Sequence, residues 1–427
     1  MTPRTCRRWS RRVPSHKVAD IHVRRERTEF GKLLVAQGAS TLGSQFALVA
    51  LPLATFELTG SAAAAGLVGV ANGLSRTLAG LFPGPVADRF NQVRLMVACD
   101  IGRLLIALTF AWVFFTEATT SVLLLAALVS VEGVLSTLFY PSETIVVCRV
   151  VAPERLSSRL ARSETVTWTA AVIGPPLGGA LFAVTTSLPF IVHAAAYVLS
   201  TAFVLSLRRE SKRPGKEREV EAPFSVSAML AGFRYIVADR FLRPVVAQIA
   251  LHNVALGALS LIVTVGAYRR GVPGALVGAM VGAQAVGALV GSFAMQPVSR
   301  RLTAGNVVLA TGALWVILVP LIAVLTEPMA IIVLLGCLWL LAPIQRTVLG
   351  TYRGQRVPAL LLGRVTAASM LLTGSLAALG PWLGGVLLEA HSAAITALVL
   401  FAVTAPPVLV SRFVCRIGTT RVDMDSG

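Results

Sequence analysis

Long apolar runs, each close to the length of a membrane crossing and separated by short polar breaks, limit what this chain can become. A helix rising ~1.5 Å per residue needs roughly 20 apolar residues to cross a hydrocarbon core of about 30 Å. Twelve such runs fall at about 31–56, 62–83, 95–116, 121–141, 164–186, 189–207, 244–267, 274–297, 303–325, 328–346, 365–388 and 393–411. Strands that span a membrane would alternate over ~10-residue segments, and the sequence has no such pattern. With 55% hydrophobic and 14% charged residues, against ~25% charged in soluble domains, the expectation is an all-α membrane protein with twelve transmembrane helices.

A net charge of +18 would suit a nucleic-acid partner only if the cations shared a face. They follow the loops instead. Of 38 lysines and arginines, only Arg269 and Arg270 fall on loops of one side, Arg76 and Arg103 lie within spans, and the rest lie on the other side. That positive-inside bias predicts a cell inner membrane protein with both termini cytoplasmic, and no nucleic-acid partner. Odd-numbered spans then run outward. Arg7 to Arg12 ("RRWSRR") superficially match a twin-arginine signal, but no apolar stretch follows before the first full span, so the tail reads as cytosolic. Cys6, Cys99, Cys148, Cys337 and Cys415 have neither metal-ligand spacing nor a place in an outer loop. Neither a disulfide framework nor a metal or other cofactor is expected.

The polar, proline-bearing text from Arg208 to Pro223 divides the spans six and six. The expected order is a basic cytosolic tail (1–30), a six-helix bundle (31–207), a cytosolic linker (208–243), a second six-helix bundle (244–411) and a cytosolic tail (412–427). The halves echo each other. "IGPPLGGALF" from Ile173 is answered by "LGPWLGGVLL" from Leu379, and Pro85 to Arg89 by Pro297 to Arg301. Repeats of this kind point to two pseudo-symmetric bundles around a central cavity.

"GPVADRFNQVR", with Gly84, Asp88, Arg89 and Arg94 in place, resembles the signature turn between spans 2 and 3 of the major facilitator superfamily. "GPPLGG" (Gly174, Pro175, Gly178, Gly179) resembles the span-5 motif of its drug/proton antiporters. "ALPLATFELTGSAAAAGLV" from Ala50, "DIGR" at Asp100 to Arg103 and "APERLSSRLARSET" from Ala152 resemble the branch with macrolide-efflux proteins and the enterobactin exporter. The resemblance covers about residues 30–412. Three positions depart from the pattern: the chain has Ser44 after Gly43 where an aspartate is expected, His193 where span 6 would carry an acid, and Val129 where span 4 would carry an arginine.

Span 11 begins at the cytosolic face, so Asp88 docked at its N-terminus would gain roughly 0.3–1 kcal/mol from the helix dipole and latch the halves. Asp100 and Arg103, three residues apart on span 3, read as a structural pair or as part of that latch. Arg76, four residues past Asn72, either extends the network or snorkels to the interface. Glu132 differs from these. It falls about midway through span 4, where an ionised acid is costly and a functional role is the default reading, so it is the proton-coupling candidate or the site for a cationic substrate, the plain alternative being a fixed buried hydrogen bond to a neighbouring helix. Gln37, Thr41 and Gln45 on span 1, Gln248, His252 and Asn253 on span 7, and Trp339 on span 10 are candidates for the substrate cavity, since the resemblance implies that spans 1, 4, 7 and 10 line the pathway. Interhelical hydrogen bonding is the plainer reading of each. His193 and His391 fall near the outer surface and carry little information.

No nucleotide-binding loop of the Walker type, nucleophile–base set or metal cluster occurs. The expected function is proton-coupled efflux of small amphipathic organic molecules, such as an antibiotic, secondary metabolite or siderophore. The transporter would act as a monomer whose partners are a small-molecule substrate, protons and the bilayer. An importer or a flippase of lipid-like molecules would share these features, and a transport-inactive sensor or scaffold is the alternative from another class.

Overall fold

The computed structural model describes residues 15–80, 90–116, 121–207, 226–301, 303–390 and 393–415. Every regular element among them is helical. The first half holds α1 (Ser15–Thr59), α2 (Ala62–Ala79), α3 (Gln92–Thr116), α4 (Val122–Val150), α5 (Pro153–Val184) and α6 (Leu188–Leu205). The second holds α8 (Leu242–Arg269), α9 (Gly274–Arg301), α10 (Ala304–Val324), α11 (Pro328–Trp339), α12 (Ala342–Arg356), α13 (Ala359–Ala390) and α14 (Ala393–Cys415). A short helix, α7 (Val226–Ala238), lies between them.

Among the described residues, eleven candidate crossings are long and apolar enough, α11 and α12 counting as one crossing broken near Leu340. The expected second span is α2, whose described part carries Asn72, Ser75 and Arg76 and is therefore less apolar than its neighbours. Several helices outrun the apolar text. α1 starts at Ser15, inside the segment expected as a tail; α4 continues through Pro141 to Val150; and α5 starts at Pro153 rather than near 164. A helix needs apolar residues only where lipid or protein covers it, so hydropathy marks the buried stretch and not the ends. Caps mark those. Gly60, at φ 68°, closes α1 in the left-handed conformation that suits glycine, and Ser61 then caps α2 by accepting a hydrogen bond from Ala64 N–H (3.0 Å).

The expected solvated linker also contains structure. α7 packs on α13, and the Tyr235 hydroxyl donates to Arg356 O (3.1 Å). Its thirteen residues, though mostly apolar, are too few to register as a span.

The two halves meet along α2 against α13 and α5 against α9. Lipid tails are as apolar as leucine, so such contacts depend on close backbone approach. Small residues provide it. A side chain at Gly66 would strike Pro381 O and Trp382, one at Gly73 would strike Ala378, and Gly278 faces the Pro175 backbone. Polar joints between halves occur at the end away from the basic loops, here the far end. Glu389 of α13 accepts a hydrogen bond from Ala63 N–H (3.0 Å) at the start of α2. Glu57 accepts from the Thr186 and Tyr268 hydroxyls, and Arg269 lies over the Phe56 ring at 4.6 Å.

Gly66→Val should therefore drive α2 from α13 and cost about 1–3 kcal/mol, as overpacking does. Gly31→Ala, at a glycine with open space around it, should not lower stability. Thermal unfolding of the purified protein in detergent checks the pair.

Candidate functional site

α3 starts at Gln92, which places Arg103 about 16 Å along its axis. That is roughly half of a ~30 Å core. Glu132, ten residues past the first residue of α4, lies at a similar depth from the opposite face. Two charges at mid-membrane depth are tolerable only if they are paired.

Arg103 has no exposure at all. Its Nη1 donates to Ser40 Oγ and its Nη2 to Ser44 Oγ, both at 3.1 Å. Ser44 can accept because its own hydroxyl donates to Ser40 O (3.0 Å). Asp100 Oδ1 is 3.5 Å from Nη1, and Glu132 Oε1 is 3.7 Å from Nε. The flat guanidinium lies over Tyr197 at 4.4 Å and Phe139 at 5.4 Å, contacts worth more once water is excluded. Behind it, the Ser200 hydroxyl donates to Asp100 Oδ2 (2.6 Å), and the His193 ring packs on Tyr197 at 4.5 Å. Residues of α1, α3, α4 and α6 thus converge on one cation.

This cluster forms part of the wall of a cavity of about 320 Å³, near the lower end of the range for small-molecule pockets, ~300–1,000 Å³. Gln45, Asn72, Arg76, Arg103, Glu132 and His193 supply its polar wall; Leu48, Leu51, Ile106 and Phe110 supply much of its apolar one. Gly133 packs directly on Asn72, Ser75 and the Arg76 stem, and Arg76 and Glu132 both line the cavity.

The sequence-derived candidates distribute as follows. Gly84, Asp88 and Arg89 lie outside the described residues. Arg94 is exposed in the first turn of α3, where Asn91 Oδ1 accepts from its backbone N–H (3.1 Å). Asp100 and Arg103 are buried inside the first half rather than placed at a latch, because α3 carries them away from the loop before it. Glu132 lines the cavity. On α1 only Gln45 does: Gln37 is held by α5, donating to Thr167 Oγ1 (3.2 Å) and accepting from Ser163 (2.6 Å), and Thr41 is buried.

In the second half, Gln248 donates to Val308 O (3.0 Å) and accepts from Ser411 (2.8 Å), which ties α8 to α10 and α14. His252 stacks on Trp315 at 4.8 Å, Asn253 is half-buried, and Trp339 packs against the apolar core. None of these four lines the cavity. Gly174 and Gly178 admit α1 at Gln45 and Phe46, while Gly179 and Pro175 face α9, so the span-5 motif sits where three helices meet.

His193 corrects the expectation of an uninformative surface histidine: it is buried and lines the cavity. With Tyr197 and Ser200 it makes a polar stripe at helical spacing along α6, a signal that was present in the sequence. His391 lies outside the described residues. Among the described residues no group of three or more His, Cys, Asp or Glu could hold a metal ion.

A family model described as "Major Facilitator Superfamily" matches residues 33–381. An uncharacterized MFS-type transporter of Bacillus subtilis (strain 168), YfiS, is 29% identical over 175 residues; the match covers 41% of this chain and 39% of that relative's length. Among solved structures, the nucleoside transporter NupG (D323A mutant) matches at TM-score 0.74 and 12% identity, covering 90% of this chain and 99% of its own. A bacterial homologue of the iron transporter ferroportin, in an inward-facing state, matches at TM-score 0.70 and 16% identity over 91% and 98%. At such identities the likeness concerns the fold alone.

Replacing Arg103 by Met strands Asp100 in the core and should cost about 3–5 kcal/mol. Arg103→Met with Asp100→Asn should recover part of that loss. A double-mutant cycle on thermal unfolding measures the coupling.

Proposed function

Because this chain belongs to the Major Facilitator Superfamily, we propose that it is a secondary transporter that exports small amphipathic organic molecules in exchange for protons. The observation that carries this reading is Glu132: a carboxylate on the cavity wall at mid-membrane depth, 3.7 Å from a buried guanidinium. A proton on Glu132 cancels its attraction for Arg103 and frees both groups. Release of the proton restores the pair. Such a site has two arrangements that proton binding can bias, which is what coupling requires.

The apolar wall of Leu48, Leu51, Ile106 and Phe110 suits the greasy part of an amphipathic molecule. The basic loops assign the Arg94 end to the cytoplasm, so the joints of Glu389 with Ala63 and of Glu57 with Tyr268 would close the outer side. Opening to the outside would require those joints to part, in the manner of alternating access. The resemblance to the macrolide-efflux and enterobactin-exporter branch supports export over import.

In everted membrane vesicles, collapsing the pH gradient should abolish substrate accumulation. Cells carrying Glu132→Gln should be as sensitive to the exported compound as a deletion strain at equal expression. Transport that persists without the gradient would remove proton coupling from this reading.

A further inference from the structure

The charge balance at the cavity wall is uneven, and it selects a class of substrate. The wall carries two guanidiniums, Arg76 and Arg103, and one carboxylate, Glu132. Arg103 already shares its charge with Asp100 from behind the wall. Arg76 has no carboxylate partner among the described residues, although it lines the same cavity as Glu132.

The donors are also unequal in their satisfaction. Arg103 Nη1 and Nη2 donate to Ser40 and Ser44, but its buried Nε–H has no hydrogen-bond acceptor, since Glu132 Oε1 stands off at 3.7 Å. An acceptor at 2.7–2.9 Å would complete a charge-assisted hydrogen bond there. His193 Nε2, also buried and on the wall, has no partner either. A buried guanidinium with an open N–H, inside a cavity, is a donor prepared for an anion. A cation entering instead would meet two guanidiniums against one carboxylate.

We propose that the cavity takes amphipathic organic monoanions. The anionic head sits between Arg76 and the Nε edge of Arg103, and the apolar body lies along Ile106, Phe110, Leu48 and Leu51. The inference deepens the export reading and rests on it in one respect, that this cavity is where the exported molecule binds; Glu132 is the carboxylate with which the anion competes for Arg103.

Other titratable groups bear on that competition. Around Glu132 stand Arg76 from α2, Asp100 and Arg103 from α3, Tyr140 and Glu143 of its own helix, and His193 and Tyr197 from α6. α1 presents Ser44 and Gln45, which do not titrate. The charged residues Arg155 and Arg159 of α5 pair with Glu26 at the basic end.

The test uses the purified full chain in nanodiscs and three aromatic probes of one shape: 2-naphthoate, 2-naphthylmethylammonium and 2-naphthalenemethanol. Equilibrium binding is read at pH 7.5. Naphthoate should bind about tenfold or more tightly than either analogue, as charge complementarity at a partly buried site demands. Arg76→Gln should weaken naphthoate and leave the alcohol unchanged; this variant keeps the buried Arg103 cluster intact and should fold. Glu132→Gln, which removes the competing carboxylate, should tighten naphthoate and leave the alcohol unchanged. An amine or alcohol that binds as well as the acid overturns the anion assignment and leaves proton-coupled export standing. Naphthoate binding that Arg76→Gln leaves unchanged overturns the placement of the anionic head.

Discussion

A guanidinium sealed inside a membrane-embedded bundle sets conditions on everything around it. Arg103 cannot shed its charge, and lipid cannot solvate it. The surrounding helices therefore bring carboxylates, hydroxyl oxygens and ring faces to it: Ser40 and Ser44 on α1, Asp100 on α3, Glu132 and Phe139 on α4, Tyr197 on α6. Four helices are positioned in depth and rotation by that one requirement. The cavity lies against this cluster, and Arg103 and Glu132 contribute to its wall.

The halves join by a different rule. Along α2 and α13 and along α5 and α9 the contact is backbone to backbone, through glycines, alanines and prolines. Such surfaces have no large knobs and so do not interlock deeply. Polar contacts at the far end supply direction. Glu389 reaches the free N–H groups at the start of α2, where the helix dipole favours an anion. The same physics was expected at the opposite end, with Asp88 at the head of span 11. An acid placed on a helix N-terminus across the interface is thus found at Glu389 and Ala63, while Asp88 lies outside the described residues.

Polar residues in the two halves have different fates. In the first half, Arg76, Glu132, His193 and Gln45 face the cavity. In the second, Gln248 is bonded on both sides of its amide and His252 is stacked on Trp315. One half carries a chemically responsive wall and the other is tied together internally. Sequence echoes between halves do not reveal this, because "GPPLGG" and "LGPWLGG" record shared packing and not shared chemistry.

Much of the architecture was legible in the sequence. Apolar runs and the glycine-rich echoes are local properties, and lipid enforces them one segment at a time. The mid-span position of Glu132 was legible too, since an acid stands out in an apolar run. The partner set was not. Whether Arg103 turns toward a loop or toward Glu132, whether Gln37 faces a cavity or Ser163, and whether His193 is surface or core depend on rotation of each helix about its axis and on which neighbour it meets. Those choices are made between segments far apart in the chain, where hydrogen bonds and charge pairs can form only after the helices have packed. Hydropathy marks which segments are apolar enough to cross; the fitting of their side chains decides what the crossing contains.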